Sequence, residues 1–150
     1  MSREVGNDRA TRSAVIDAER LRWRLQWLAC LQDFADLDLQ FRMWLDSSNT
    51  NPHWSYVEFM CNYFDDTLHS SDYSWALREG LVIQAEVDVV ASLHVLLVAH
   101  QSPSGNDWDN LAVLDDPAWR AITIEAATIQ VRLLALLTAP SELQMLLAGN

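Results

Sequence analysis

The residues with the clearest potential for chemistry lie in the stretch Asp65-Asp66-Thr67-Leu68-His69. On an α-helix, Asp65 and His69 are four residues apart and Asp66 and His69 are three apart, so the three side chains would share one face. Carboxylates and imidazoles both bind divalent metals. A carboxylate-bridged site in a helix bundle also needs a second acid-x-x-His motif, which the sequence lacks. Asp65, Asp66 and His69 are therefore kept as metal candidates, and a solvated helix face is the favoured interpretation.

Signatures of the common enzyme classes are missing from the 150 residues. Four glycines are too few and too scattered for a phosphate loop or a dinucleotide fingerprint, and neither HExxH nor GxSxG occurs. Asp107 and Asp109 begin like a calcium loop, but Ala112 and Ala118 stand where that loop needs glycine and glutamate. We expect no catalytic residue and no cofactor, and the chain is predicted not to be an enzyme.

The charge distribution indicates what kind of partner the protein binds. The net charge is -11, and the region from Asp33 to Asp116 holds fifteen carboxylates against only Arg42 and Arg78. A surface of this sign repels nucleic acid and anionic membranes and accelerates association with a cationic protein. We therefore expect a cationic protein partner, no nucleic acid and no membrane.

One of the seven tryptophans differs from the others. Trp108 stands between two aspartates in the polar, turn-rich segment 101–110 and has no apolar stripe to join. Aromatic side chains in polar loops are frequent interface anchors. The competing interpretation is that Trp108 folds back as a lid over the core. The predicted partner-binding surface consists of this tryptophan and six carboxylates: Asp65, Asp66, Asp107, Trp108, Asp109, Asp115 and Asp116.

These features favour a small, acidic, non-enzymatic protein-binding domain, for example an inhibitor or an immunity-type protein that neutralises a basic partner. The alternative is a self-associating structural or regulatory module whose surplus aromatic side chains form a homodimer interface. A metal-dependent enzyme built on Asp65, Asp66 and His69 is the third hypothesis. Cys30 and Cys61 have no metal-like spacing and are expected to be reduced, packed thiols, so the expected location is cytoplasmic.

Periodicity predicts an all-α domain, an irregular bundle of about five to seven helices around a central buried helix near residues 82–100. That helix is apolar on almost every side from Val89 onward. Its only polar stripe is Gln84, Asp88 and Ser92, and His94 is expected to be a core imidazole bonded to a backbone carbonyl or a neighbouring side chain. No apolar run reaches the ~18 residues that a membrane span needs.

The remaining elements follow from apolar spacing and helix-capping residues. Residues 1–12 are predicted to be a flexible tail and residues 13–150 a single helical domain, with the first helix over 13–34. Residues 35–46 alternate like a strand, but a helix is favoured because no second strand could pair with them. Asn51–Pro52 is predicted to start a helix over 53–69, Gly80 to end a short turn over 73–79, and Asp116–Pro117 to start a long helix. A last short helix is expected from Ser141.

Overall fold

The computed structural model describes the backbone of residues 2–148 and the side chains of residues 9–148. Within that range the chain forms eight helices and no strand. One of them, α3, changes from α to π geometry partway along. The helices are α1 (Ser2–Ala35), α2 (Leu37–Trp44), α3 (Tyr56–Cys61, continuing as a π-helix over Asn62–Leu68), α4 (Ser74–Arg78), α5 (Gln84–Ala99), α6 (Asn110–Leu114), α7 (Pro117–Leu134) and α8 (Pro140–Ala148).

The predicted fold class, an all-α multi-helix bundle, is confirmed. The count exceeds the expected five to seven because α6 forms directly after the segment taken as a loop. Asp109 caps α6 by accepting a hydrogen bond from the Ala112 N–H at 3.2 Å. No helix in the described range has both the length and the apolar character needed to cross a membrane.

The first helix begins at Ser2 instead of at Ser13, where the sequence placed its start. Apart from Gly6, nothing between residues 2 and 35 interrupts a helix, and arginine and alanine are good helix formers. The side chains of residues 9–19 are all exposed. From Trp27 to Phe34 the same helix enters the centre of the bundle, where it packs most extensively against α7 and α8.

The prediction of a central buried helix near residues 82–100 is corrected by the structure. The helix is present as α5, but only Glu86, Val90, Leu93 and Leu97 are buried along it. Side chains on its opposite side are exposed, among them Val95 at 65%. The centre is formed instead by α1, which buries Trp27, Leu28, Leu31 and Phe34, and by α7, which buries Trp119, Ile122, Ala126 and Ile129.

Aromatic rings join the elements at this centre. Phe34 on α1 makes edge-to-face contacts with Phe59, Tyr63 and Trp119, at centroid distances of 6.0, 5.6 and 6.0 Å. Such pairs contribute about 0.5–1.5 kcal/mol each beyond the area they bury. One side chain of α1 therefore fixes the positions of both α3 and α7.

The third helix begins later than expected and buries a different line of side chains. Ser55, not Asn51, is the N-cap, and its Oγ accepts from the Glu58 N–H at 3.2 Å. An α period that starts at Trp54 places Trp54, Val57, Cys61, Phe64 and Leu68 inward, whereas the buried residues are Tyr56, Phe59, Tyr63, Thr67 and Leu68. Tyr56, Phe59, Tyr63 and Thr67 are three or four residues apart, so two lines of side chains fit an α period and the spacing alone does not decide which of them is buried.

Three local predictions are confirmed. Residues 37–44 form a helix, capped by Asp36. Gly80 follows α4 with a φ of 68°, as a glycine after a helix C-terminus does. Asp116 caps α7, and Pro117 occupies its first position.

Candidate functional site

The loop between α5 and α6 presents Trp108 to solvent. Gly105 has a φ of 75°, which allows a tight turn closed by its N–H donating to the Ser102 carbonyl at 3.2 Å. Ser102 Oγ donates to the Asn106 carbonyl at 2.9 Å, and the Trp108 N–H donates to Asn106 Oδ1 at 3.0 Å. Trp108 is 64% exposed, so the interpretation of this side chain as a lid over the core is wrong.

Four carboxylates lie close to Trp108 along the chain. Asp107 and Asp115 are exposed, whereas Asp109 and Asp116 are half-buried because each caps a helix. The caps fix two of the four charges in place without neutralising them. We refer to Asp107, Trp108, Asp109, Asp115 and Asp116 as the Trp108 surface.

One arginine lies next to the Trp108 surface. Arg120 Nη2 is 3.4 Å from Asp115 Oδ1, and the two side chains are 48% and 61% exposed. An ion pair this long and this exposed contributes about 0–1 kcal/mol and leaves the field of the other carboxylates intact.

A buried cluster lies beneath this surface. His100 Nε2 donates to Asp116 Oδ2 at 2.9 Å, since a carboxylate only accepts, and His100 Nδ1 is 2.9 Å from the Tyr56 hydroxyl. In addition, the Tyr56 N–H donates to Asn110 Oδ1 at 3.1 Å. These bonds anchor the start of α3 to both ends of the segment that carries Trp108.

The order Tyr56–His100–Asp116 resembles a nucleophile, a base and an orienting acid, but its electrostatics oppose that role. Burial first, and then the charges of Asp107 and Asp116, raise the pKa of Tyr56 to about 12. An activated nucleophile requires a lowered pKa and access to substrate. Tyr56 is 5% exposed and the His100 side chain 2% exposed. The cluster therefore supports the Trp108 surface from below and offers no reacting atom to a substrate.

The metal candidates are not arranged as a site. Asp65 and Asp66 lie on the π-helical part of α3, where the three- and four-residue spacings of an α-helix do not apply. His69 has left the helix with a φ of 53°, and its ring packs edge-on against Trp75 at 4.6 Å. Among the residues whose side chains are described, no group of three potential ligands could hold a metal ion.

Asp65 and Asp66 are also separated from the rest of the predicted partner surface. Both are exposed, as expected for a solvated face. The start of α3 contacts Asn110, and Asp65 lies about 13 Å further along the helix, at up to 1.5 Å per residue. The structure therefore brings together residues 107–116 of the predicted surface and leaves these two aspartates outside it.

Sequence reasoning missed an internal ion cluster. Arg24 Nη2 lies 2.6 Å from Glu86 Oε2 and 2.8 Å from Glu142 Oε1, and its Nη1 donates to the Leu81 carbonyl at 2.9 Å. The three charged residues are 3%, 3% and 7% exposed. The available signal was Glu86, an acid in an otherwise apolar part of the sequence. The partners cannot be found this way, because they are 62 and 118 residues away from Arg24.

A hydrogen-bonded chain runs from the core to His94, and its direction is fixed. His94 Nε2 must donate to the Ser71 carbonyl at 2.8 Å, so Nδ1 of the neutral ring accepts from the Tyr63 hydroxyl at 2.8 Å. Tyr63 in turn accepts from Tyr73, and Tyr73 accepts from Trp27 Nε1, both at 2.9 Å. His94 thus bonds both of the partners that were expected as alternatives, a backbone carbonyl and a neighbouring side chain, but it is half-buried and not in the core as predicted.

Both cysteines are free, in agreement with the prediction. Cys30 lies in the core and Cys61 is half-buried.

A scan against protein-family models, a search of curated proteins and a search of solved structures each returned no match.

Proposed function

We propose that this protein is a non-enzymatic binding domain that docks a cationic protein on the Trp108 surface, as an inhibitor or an immunity-type protein does. The observation that carries the proposal is the 64% exposure of Trp108 in a loop held by its own hydrogen bonds. A tryptophan presented in this way loses little conformational entropy on binding, and tryptophan is among the residues most often found at binding hot spots.

The surrounding charge supports a basic partner. The four carboxylates of the Trp108 surface belong to a chain with a net charge of -11. Such a field steers a cationic protein toward the surface and raises the association rate more than the intrinsic strength of the contact. The apolar ring then supplies the short-range contact that the carboxylates cannot provide.

Capture from a cell lysate on immobilised protein tests the proposal, at about 50 mM and about 0.5 M salt, where the Debye length is roughly 14 Å and 4 Å. The test variant combines Trp108→Ala with Asp107→Asn and Asp109→Asn. Asparagine caps a helix as well as aspartate does, so the start of α6 is retained. The matched control is Asp65→Asn with Asp66→Asn, which removes the same number of charges outside the Trp108 surface.

Support requires three results together: a basic protein captured at low salt, its loss at high salt, and its loss with the test variant but not with the control. Capture that is equal at both salts, or that is lost with the control variant alone, contradicts the proposal. Failure of every basic protein to bind at low salt contradicts it as well.

A further inference from the structure

A second surface lies on the outward side of α5 and α7, away from the Trp108 loop. Four large apolar side chains stand out on it: Val95 and Val98 on α5 are 65% and 54% exposed, and Ile124 and Val131 on α7 are 69% and 68% exposed. Most of the other exposed positions are small or apolar as well, namely Ala85, Ala91, Leu96, Ala99, Ala121 and Ala127. We call this surface the α5/α7 face.

The two helices run antiparallel and side by side. His100 after α5 bonds Asp116 before α7, and midway Ser92 Oγ donates to Glu125 Oε1 at 2.6 Å. At the other end, Ile83 and Leu136 line the same cleft. The 16 residues of α5 measure about 24 Å and two adjacent helices about 20 Å across. This footprint is of the same order as the ~800 Å² that each partner buries in a standard interface.

The charge of this face differs from that of the rest of the chain. Its charged groups outside the core are Asp88, Glu125 and Arg132, a net charge of -1, because Arg120 at the start of α7 pairs with Asp115 beside the Trp108 surface. The chain as a whole carries -11. Two copies that approached through most other parts of the surface would repel each other, whereas a face with a net charge of only -1 allows close approach.

The polar groups of the face are already largely paired with one another. Gln84 Nε2 donates to Asp88 Oδ1 at 2.8 Å, Ser92 bonds Glu125, and Thr128 Oγ1 donates to the Ile124 carbonyl at 3.1 Å. Removing water from such groups costs less than removing it from unpaired ones. Arg132 is exposed and makes no ion pair within residues 9–148, so it is free to bind a carboxylate of another molecule.

We infer that the α5/α7 face is the interface of a homodimer, with a second copy of this chain as its occupant. A twofold axis places the same patch of both copies together, and a patch with two acids and the unpaired Arg132 can be complementary to itself. A cationic protein would gain little from a face with a net charge of only -1. The dimer is thus independent of partner binding at the Trp108 surface and leaves that surface open on both copies.

Analytical ultracentrifugation from about 1 to 100 µM tests the inference, because dimerisation follows mass action in this range. The variants are Ile124→Glu and Val131→Glu on the face, with Ile16→Glu as the control, since Ile16 is 62% exposed on α1. We expect dimers of the wild type and the control. Each face variant should raise the dissociation constant about 100-fold, the size of a central hot spot. Arg132→Glu should raise it about 10-fold and serves as a second probe if an apolar-to-acid change disturbs folding.

A wild type that stays monomeric at about 100 µM overturns the inference, as does a dimer that survives both glutamate variants. A dimer lost with Ile16→Glu instead places the interface elsewhere and also overturns it. Trp108→Ala should remain dimeric, so failure of the homodimer and failure of the proposed partner surface are separate results.

Discussion

Arg24 and Glu86 form a doubly hydrogen-bonded ion pair inside the bundle, with Nη1 2.9 Å from Oε1 and Nη2 2.6 Å from Oε2. Glu142 binds the remaining edge of the guanidinium. Burial alone would lower the pKa of Arg24, but the hydrogen bonds and charges of the two glutamates together raise it. One arginine on α1 thus holds α5 and α8 in place, within a buried cluster of net charge -1.

Removing the arginine should therefore be far more damaging than removing an exposed one. We predict that Arg24→Met, which keeps the aliphatic stem, lowers the free energy of unfolding by about 3 to 5 kcal/mol because it leaves two carboxylates unpaired in the interior. Urea denaturation followed by circular dichroism measures the change.

The control for that experiment is Arg42→Met. Arg42 pairs with Asp38 at 3.3 Å on the surface, where the two side chains are 63% and 85% exposed. Its loss should cost about 0.5 kcal/mol or less. Equal effects of the two substitutions would show that the internal cluster does not hold the helices together.

Local signals in the sequence predicted two of the helix ends correctly. Gly80 and the pair Asp116–Pro117 act through hydrogen bonds and backbone angles within a few residues, so their surroundings are contained in the sequence around them. The Arg24 cluster and the burial of α5 depend on residues far along the chain. A helix with valine on several sides gives no sign of which side its neighbours will cover, and α5 was placed too deep for that reason.

The candidate site was predictable in part for the same reason. Trp108 and the carboxylates at 107, 109, 115 and 116 lie within ten residues, and the structure keeps them in one region. Asp65 and Asp66 were added on charge alone, and their distance from that region depends on where α3 begins. The π-helix that removes the metal geometry has no recognised signal in the sequence.

The loss of stability at acid pH should depend on Glu86. Burial raises the pKa of this carboxyl, but its bonds to Arg24 and to the Ile83 N–H, with the charges of Arg24 and Arg20, lower the pKa overall from 4.5. A carboxyl whose pKa is lowered by folding stabilises the protein above its unfolded pKa, and this contribution is lost as the pH falls through the folded pKa. We predict that the free energy of unfolding of Glu86→Gln declines less steeply below pH 4.5 than that of the wild type. The difference in slope should be up to about 1.4 kcal/mol per pH unit. Parallel curves for the two proteins would contradict this role.

The loss of stability at alkaline pH should depend on the three tyrosines. Burial raises the pKa of Tyr56 to about 12 and raises the pKa values of Tyr63 and Tyr73 well above the ordinary value as well. A spectrophotometric titration of the folded protein should therefore show no tyrosinate near pH 10.0, the ordinary value. Stability should fall as the pH rises above that value, because the unfolded chain then ionises first. A native tyrosine that titrates near the ordinary value would contradict the burial of these rings.

The glycine after α4 should be needed for its backbone angle and not for space. A Cβ at Gly80 would meet nothing within 4 Å, but the φ of 68° is unfavourable for other residues. We predict that Gly80→Ala costs about 1 kcal/mol, measured by thermal unfolding. Gly80→Asn should cost less, since asparagine tolerates this conformation. Full stability of the alanine variant would mean that the turn adopts another conformation.

The central claim, that a cationic partner docks on the Trp108 surface, is tested most directly by nuclear magnetic resonance of isotopically labelled protein titrated with the basic protein recovered at low salt. We predict that the Trp108 indole N–H and the backbone amides of residues 107–116 shift together, and that these shifts disappear at about 0.5 M salt. Shifts confined to the α5/α7 face, or to Asp65 and Asp66 on the π-helix, would contradict it.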